Sequence, residues 1–133
     1  MAYDDQNVFA KILRGEIPCT KVHETEHALA FQDIKPQAAV HVLVIPKGPY
    51  VSWADFSANA SAPEQADYVA AIGATARALG VDESGYRLIA NHGGHSHQEV
   101  FHLHTHILAG EPLGAMLEGG HLPPGVMRRP IKG

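Results

Sequence analysis

Apolar residues first recur at helical spacing in QNVFAKILRGEIP, where Val8, Phe9, Ile12 and Leu13 share a side. Asn7 stands at the N-cap position, and Gly15 and Pro18 close the segment, so the pattern predicts a short helix of about two turns. The period then drops. KVHE (21–24) and ALAFQD (28–33) are short runs separated by polar residues and predict a hairpin. Val40 to Ile45 is β-branched and almost wholly apolar, the composition of a strand covered on both faces. A helical pattern returns in SAPEQADYVAAIGATARALG: Ser61 and Glu64 have capping-box spacing, Val69, Ile72, Ala76 and Leu79 fall on one face, and Gly80 ends it. GYRLIAN (85–91) and EVFHLHTHIL (99–108) predict two further strands joined by the polar loop HGGHSHQ (92–98). From residue 110 to 133 glycine and proline accumulate without a period, which predicts an irregular tail.

Strands thus cluster on either side of one long helix instead of alternating with helices, the order of an α+β domain with a mostly antiparallel sheet. The 133 residues suit a single domain over 1–133. Ten Lys and Arg against 14 Asp and Glu give a net charge of -4, so neither a nucleic-acid backbone nor an anionic membrane is an expected partner. Cys19 is the single cysteine, which excludes an intrachain disulfide and a CxxC zinc knuckle. With no basic-then-apolar leader at the N-terminus and no apolar run long enough to span a bilayer, the expected location is the cytoplasm. No GxxxxGK[ST] or strand-linked GxGxxG is present, so a glycine-rich phosphate cradle is not the binding device.

Candidate chemistry concentrates in HQEVFHLHTHIL. On one strand, His102, His104 and His106 would share a face at steps of roughly 6.5 Å. The outer two would then lie about 13 Å apart, too far to share one ion whose Zn–N bonds are about 2.0–2.1 Å. Two of them with His41 or a loop histidine remain a possible metal set, although no metal or cofactor is the preferred expectation. His41 in AVHVLVIP reads, in isolation, as a satisfied core residue. Three imidazoles on one face imply a polar cleft over it, because burying them unpaired is costly. The third reading is covalent catalysis. A neutral imidazole is a free nitrogen base near pH 7, and the surrounding Asn91, Gly93, Gly94 and Gln98 offer neutral donors suited to an α-phosphate.

HLHTHIL, together with NVFAKILRGEIPCTKV, ALAFQDIKPQAAVHVLVIPK, GYRLIAN and QEVFHLHTHIL, resembles the histidine triad (HIT) family, in its nucleotide-binding branch, over about residues 6–110. The resemblance implies a five-stranded antiparallel sheet with one long and one short helix, and a homodimer that joins two sheets into one of ten strands. It implies binding of a purine nucleotide, with an AMP or GMP moiety, and cleavage at the α-phosphate through a nucleotidyl-histidine. By position, His104 matches the nucleophile, His102 the residue that fixes its ring through a backbone carbonyl, His106 the contact to the phosphate oxygens, and His41 the supporting histidine. Asp33 matches the carboxylate for the ribose hydroxyls, although Asp before a proline-containing turn is also a common turn-former. Val8, Phe9, Ile12, Phe31 and Ile34 match the base pocket, Asn91 the amide on the phosphate, and Gln98 a glutamine of the same loop.

Glu99 departs from the pattern, since animal members carry a serine there that aids protonation of the leaving amine. A carboxylate could donate only with a raised pKa, and it repels the phosphate. His92, His95 and His97 are additional and read as solvated loop residues. The implied activity is hydrolysis of purine nucleoside 5′-phosphoramidates or related nucleotidyl adducts, with His106, in place of a transferase-type glutamine, favouring water as acceptor. The alternatives are a dinucleoside polyphosphate hydrolase of the same family, which needs a cationic cluster the sequence lacks, and a nucleotide-binding regulatory protein with residual catalysis.

Overall fold

The computed structural model describes residues 1–117. Its elements are α1 (Val8–Leu13), β1 (Lys21–Glu24), β2 (Ala28–Gln32), β3 (Val40–Pro46), α2 (Trp53–Asn59), α3 (Ala62–Ala78), β4 (Tyr86–Ile89) and β5 (Thr105–Ala109). A single 3-10 turn covers Gly94–Ser96. The five strands form one antiparallel sheet in the order β1-β2-β3-β5-β4, which is the α+β architecture the sequence predicts. Of the predicted tail, residues 110–117 are irregular, with Arg87 donating to the carbonyls of Gly114 and Ala115, and 118–133 lie outside the described residues.

Local chemistry explains the helices. Asn7 Oδ1 accepts from the backbone N–H of Phe9 and Ala10, and the chain leaves α1 through Gly15 at φ 78°, a left-handed conformation that glycine adopts without strain. Ser61 and Glu64 cap α3 reciprocally.

The sheet is covered on both faces. Val42 and Val44 of β3 and Ile107 of β5 pack against Tyr68, Ala71 and Ile72 of α3, with Phe56 of α2 in the same cluster. On the other face Leu29, Phe31, Leu43 and Ile45 pack with Phe9 of α1. Since β3 alternates between these clusters, His41 falls on the α1 side.

Three expectations are corrected. The last strand begins at Thr105 and not at 99, because residues 99–104 lie outside the ladder, with a bend over 100–102, so His102 and His104 do not share a strand with His106. α2 is a second short helix, capped by Ser52 Oγ on Asp55 N–H. On α3 Val69 is 64 % exposed, and the buried face is Tyr68, Ala71, Ile72, Thr75 and Ala76.

Candidate active site

The three histidines of the run gather on the α1 side although only one belongs to β5. Phe9 lies edge-on to His104 at 4.9 Å and to His102 at 6.2 Å, and His104 lies 5.1 Å from His106. The fourth imidazole comes from β3. His41 pairs with Leu108 and Leu43 pairs with His106, so His41 and His106 are diagonal neighbours across the ladder.

Partners fix where each proton sits, since a carbonyl only accepts and a backbone N–H only donates. His104 Nδ1 donates to the His102 carbonyl at 2.8 Å, which leaves the lone pair on Nε2. His102 donates from Nε2 to the Pro46 carbonyl at 2.8 Å, so its Nδ1 accepts from the Tyr3 hydroxyl at 2.6 Å. The backbone N–H of Gln37 donates to His41 Nδ1 at 3.1 Å, which puts the His41 proton on Nε2, from where it reaches His106 Nδ1 at 2.8 Å. The remaining proton of a neutral His106 is on Nε2.

Burial keeps these rings neutral. Desolvation first, and the neighbouring His104 after it, push His102 and His106 down to about 4. Burial also lowers His104, opposed by its bond to the His102 carbonyl and by the carboxylates of Asp33 and Glu99. His41 is lowered by burial and partly restored by Asp33. The result is a free imidazole nitrogen in a largely dry setting. The polar cleft expected over all three rings does not extend to His102, which is fully buried and satisfied by protein atoms.

Asp33 serves both sides. Its Oδ1 accepts from the Lys35 N–H at 2.8 Å, the turn-forming arrangement, while Oδ2 lies 3.5 Å from His41 Nε2. Ligand atoms of Asp33, His41 and His106 lie within 4.8 Å of one another. This donor set suits a divalent ion in type, but the two nitrogens of a tetrahedral zinc site stand about 3.3 Å apart. The 2.8 Å between His41 and His106 fits a shared proton better.

The other predicted residues divide. Phe9 and Phe31 are buried and meet edge to face at 5.7 Å, Ile12 is half-buried, and Val8 and Ile34 are exposed, Ile34 at 89 %. Asn91 is half-buried just past β4. Gln98 is buried and braces its loop: Oε1 accepts from Gly93 N–H, and Nε2 donates to the carbonyls of Val51 and Val100. Glu99 is exposed, with His97 Nε2 at 2.8 Å from its Oε1, and His92 and His95 are also exposed. Sequence reasoning missed Tyr3, Gln37 and Pro46. The last two act through backbone atoms, which carry no residue-type signal, and Tyr3 is an isolated aromatic in an acidic stretch.

An α+β sheet that brings a His-x-His-x-His run against a histidine from the adjoining strand defines a histidine triad protein as a class. The model of the HIT domain matches residues 14–113, and the chain belongs to that family. It is 58 % identical over 118 residues to an uncharacterized HIT-like protein of Azospirillum brasilense, covering 89 % of this chain and 97 % of the relative. It is 42 % identical over 115 residues to the purine nucleoside phosphoramidase of Escherichia coli, covering 85 % and 94 %. Among solved structures, a HIT family hydrolase from Clostridium thermocellum superposes with a TM-score of 0.77 at 40 % identity, covering 84 % of this chain and 96 % of that one.

Proposed function

We propose that the protein hydrolyses purine nucleoside 5′-phosphoramidates, or related nucleotidyl adducts, with His104 as nucleophile. The observation that carries this reading is the His104–His102 bond: with Nδ1–H spent on a carbonyl and burial opposing protonation, Nε2 presents a lone pair at neutral pH. In the first step Nε2 attacks the α-phosphorus, a P–N bond to histidine forms, and the P–N bond to the leaving amine breaks as the amine takes up a proton. Water then attacks phosphorus, the histidine–phosphorus bond breaks, and the nucleoside monophosphate departs. His106 contacts the phosphate oxygens through Nε2–H, and His41, fixed by Gln37, holds that tautomer. Asp33 accepts from the ribose hydroxyls, Asn91 meets the phosphate, and Val8, Phe9, Ile12, Phe31 and Ile34 border the base. The name of the Escherichia coli relative supports the substrate class.

The test is turnover of adenosine 5′-phosphoramidate by purified protein and by His104→Ala. Loss of about 10³-fold or more in kcat with nucleotide binding retained is the expected result. Full turnover in His104→Ala removes the nucleophile assignment.

We also infer that the protein is a homodimer through β4. Among the described residues that strand is an unpaired sheet edge, with Tyr86 and Leu88 exposed. Beside it lies a groove of about 540 Å³, lined by Trp53, Val69, Ile72, Tyr86, Leu88 and Thr105, on the sheet face away from the histidines. A second copy paired edge to edge covers this apolar surface and continues the sheet.

A further inference from the structure

The N-terminal arm, residues 1–7, contains no helix or strand, yet one of its side chains reaches the core of the site. Tyr3 donates to His102 Nδ1 at 2.6 Å, and the two rings meet edge to face at 5.6 Å. The arm is tied back to the body by Asn7 Nδ2 donating to the Asp4 carbonyl at 2.7 Å and by Arg14 Nη1 donating to the Asp5 carbonyl at 2.8 Å.

The consequence lies in how the 102–104 segment is held. It is outside the ladder, so strand pairing does not orient its peptides. The peptide between His102 and Leu103 is instead fixed at both ends: the Leu103 N–H donates to the Tyr50 carbonyl at 2.8 Å, and the His102 carbonyl receives His104 Nδ1–H. The His102 ring is the side-chain anchor of this peptide, and it is buried with two bonds, one to the end of β3 and one to Tyr3. Without the hydroxyl, Nδ1 is a buried lone pair with no donor. The ring is then free to exchange tautomer or pivot away from Pro46, and the carbonyl that orients His104 moves with it.

We propose that Tyr3 is a positioning residue of the active site, acting through His102 to hold His104 in the tautomer that leaves Nε2 free. This rests on His104 being the nucleophile, and Tyr3 touches neither substrate nor the reacting atoms.

Three proteins test it: the full chain, Tyr3→Phe and Tyr3→Ala, each followed by ¹⁵N spectroscopy of the imidazoles and by turnover of adenosine 5′-phosphoramidate. In Tyr3→Phe the His102 Nδ1 resonance moves downfield, as an acceptor nitrogen does when its donor is removed, and the His104 Nδ1 proton exchanges with water about tenfold faster. The value of kcat falls about tenfold in both variants, the size of one lost hydrogen bond, while KM stays within twofold. Wild-type kcat in Tyr3→Phe with loss only in Tyr3→Ala assigns the effect to ring packing and overturns the proposal. Unchanged His102 and His104 resonances in Tyr3→Phe overturn it as well. Should the wild-type chain fail to cleave the phosphoramidate, the functional reading falls by itself, and the His104 exchange rate alone decides for or against Tyr3.

Discussion

His41 Nε2 and His106 Nδ1 lie 2.8 Å apart across adjoining strands, and a backbone N–H from Gln37 decides which of the two carries the proton between them. The proton belongs to His41, and the tautomer of His106 follows from it.

His41→Ala removes that donor and leaves a partly buried Nδ1 on His106 unpaired. Loss of a positioned proton partner predicts a fall in kcat of about 10–100-fold with KM changed less than threefold. Steady-state kinetics check this. A variant that raises KM and spares kcat assigns His41 to binding.

The same burial makes stability depend on pH. His102 and His106 titrate near 4 in the fold against about 6.5 when free. Their folded values are depressed, so the unfolded chain takes up protons first as the pH falls. Their contribution is complete above about 6.5 and is lost progressively as the pH drops toward 4. For the fully buried His102 it is on the order of 3 kcal/mol. Scanning calorimetry is expected to give a Tm on the order of 10 °C lower at pH 4.5 than at pH 7, with little slope between pH 7 and 8. A flat profile from 7 to 4.5 shows that the rings are charged or solvated in the fold. Activity is expected to follow the same direction, with the acid limb of kcat/KM lying below 6.5 because the proposed nucleophile, His104, acts as the neutral imidazole.

On the opposite face the Tyr68 hydroxyl donates to the Val44 carbonyl and meets Thr105 Oγ1, both at 2.8 Å, in a fully buried position. Tyr68→Phe leaves both partners unsatisfied inside the core and is expected to cost about 1–3 kcal/mol in urea unfolding. Tyr68 has no part in the histidine network, so kcat at 25 °C stays within threefold. Unchanged stability would mean that water replaces the hydroxyl.

Much of this architecture was legible because its signals are local. The Asn7 cap, the Ser61 and Glu64 pair and the apolar run of β3 each depend on neighbours in sequence. The errors arise where distant packing decides. Alternation in FHLHTH continues upstream of Thr105, so it imitated a longer strand, while the His102 ring is oriented by the Pro46 carbonyl and the Tyr3 hydroxyl and the Leu103 N–H by the Tyr50 carbonyl. The buried face of α3 includes Thr75, whose hydroxyl donates to the Ala71 carbonyl, and Tyr68, so a face drawn through aliphatic positions alone turns toward the exposed Val69. α2 has seven residues and buries only Phe56, too little for a helical period to show. At the site, residue types announced the imidazoles, but their tautomers depend on contacts with backbone atoms and the arm, which no spacing encodes.

The edge at β4 supplies the remaining prediction. Leu88 is 47 % exposed on a strand that is an edge among the described residues, beside the apolar groove, so Leu88→Lys places a charge where a second copy would pair. The wild-type chain is expected to sediment at twice its mass of 14.3 kDa, and Leu88→Lys at the single mass. A monomeric wild type at micromolar concentration rejects the interface. The histidine network, Tyr3 and Asp33 all come from one chain, on the sheet face opposite the groove. A monomeric Leu88→Lys that stays folded is therefore expected to keep its phosphoramidate kcat within about threefold. A larger loss in a folded monomer would mean that the second copy helps to order the active site.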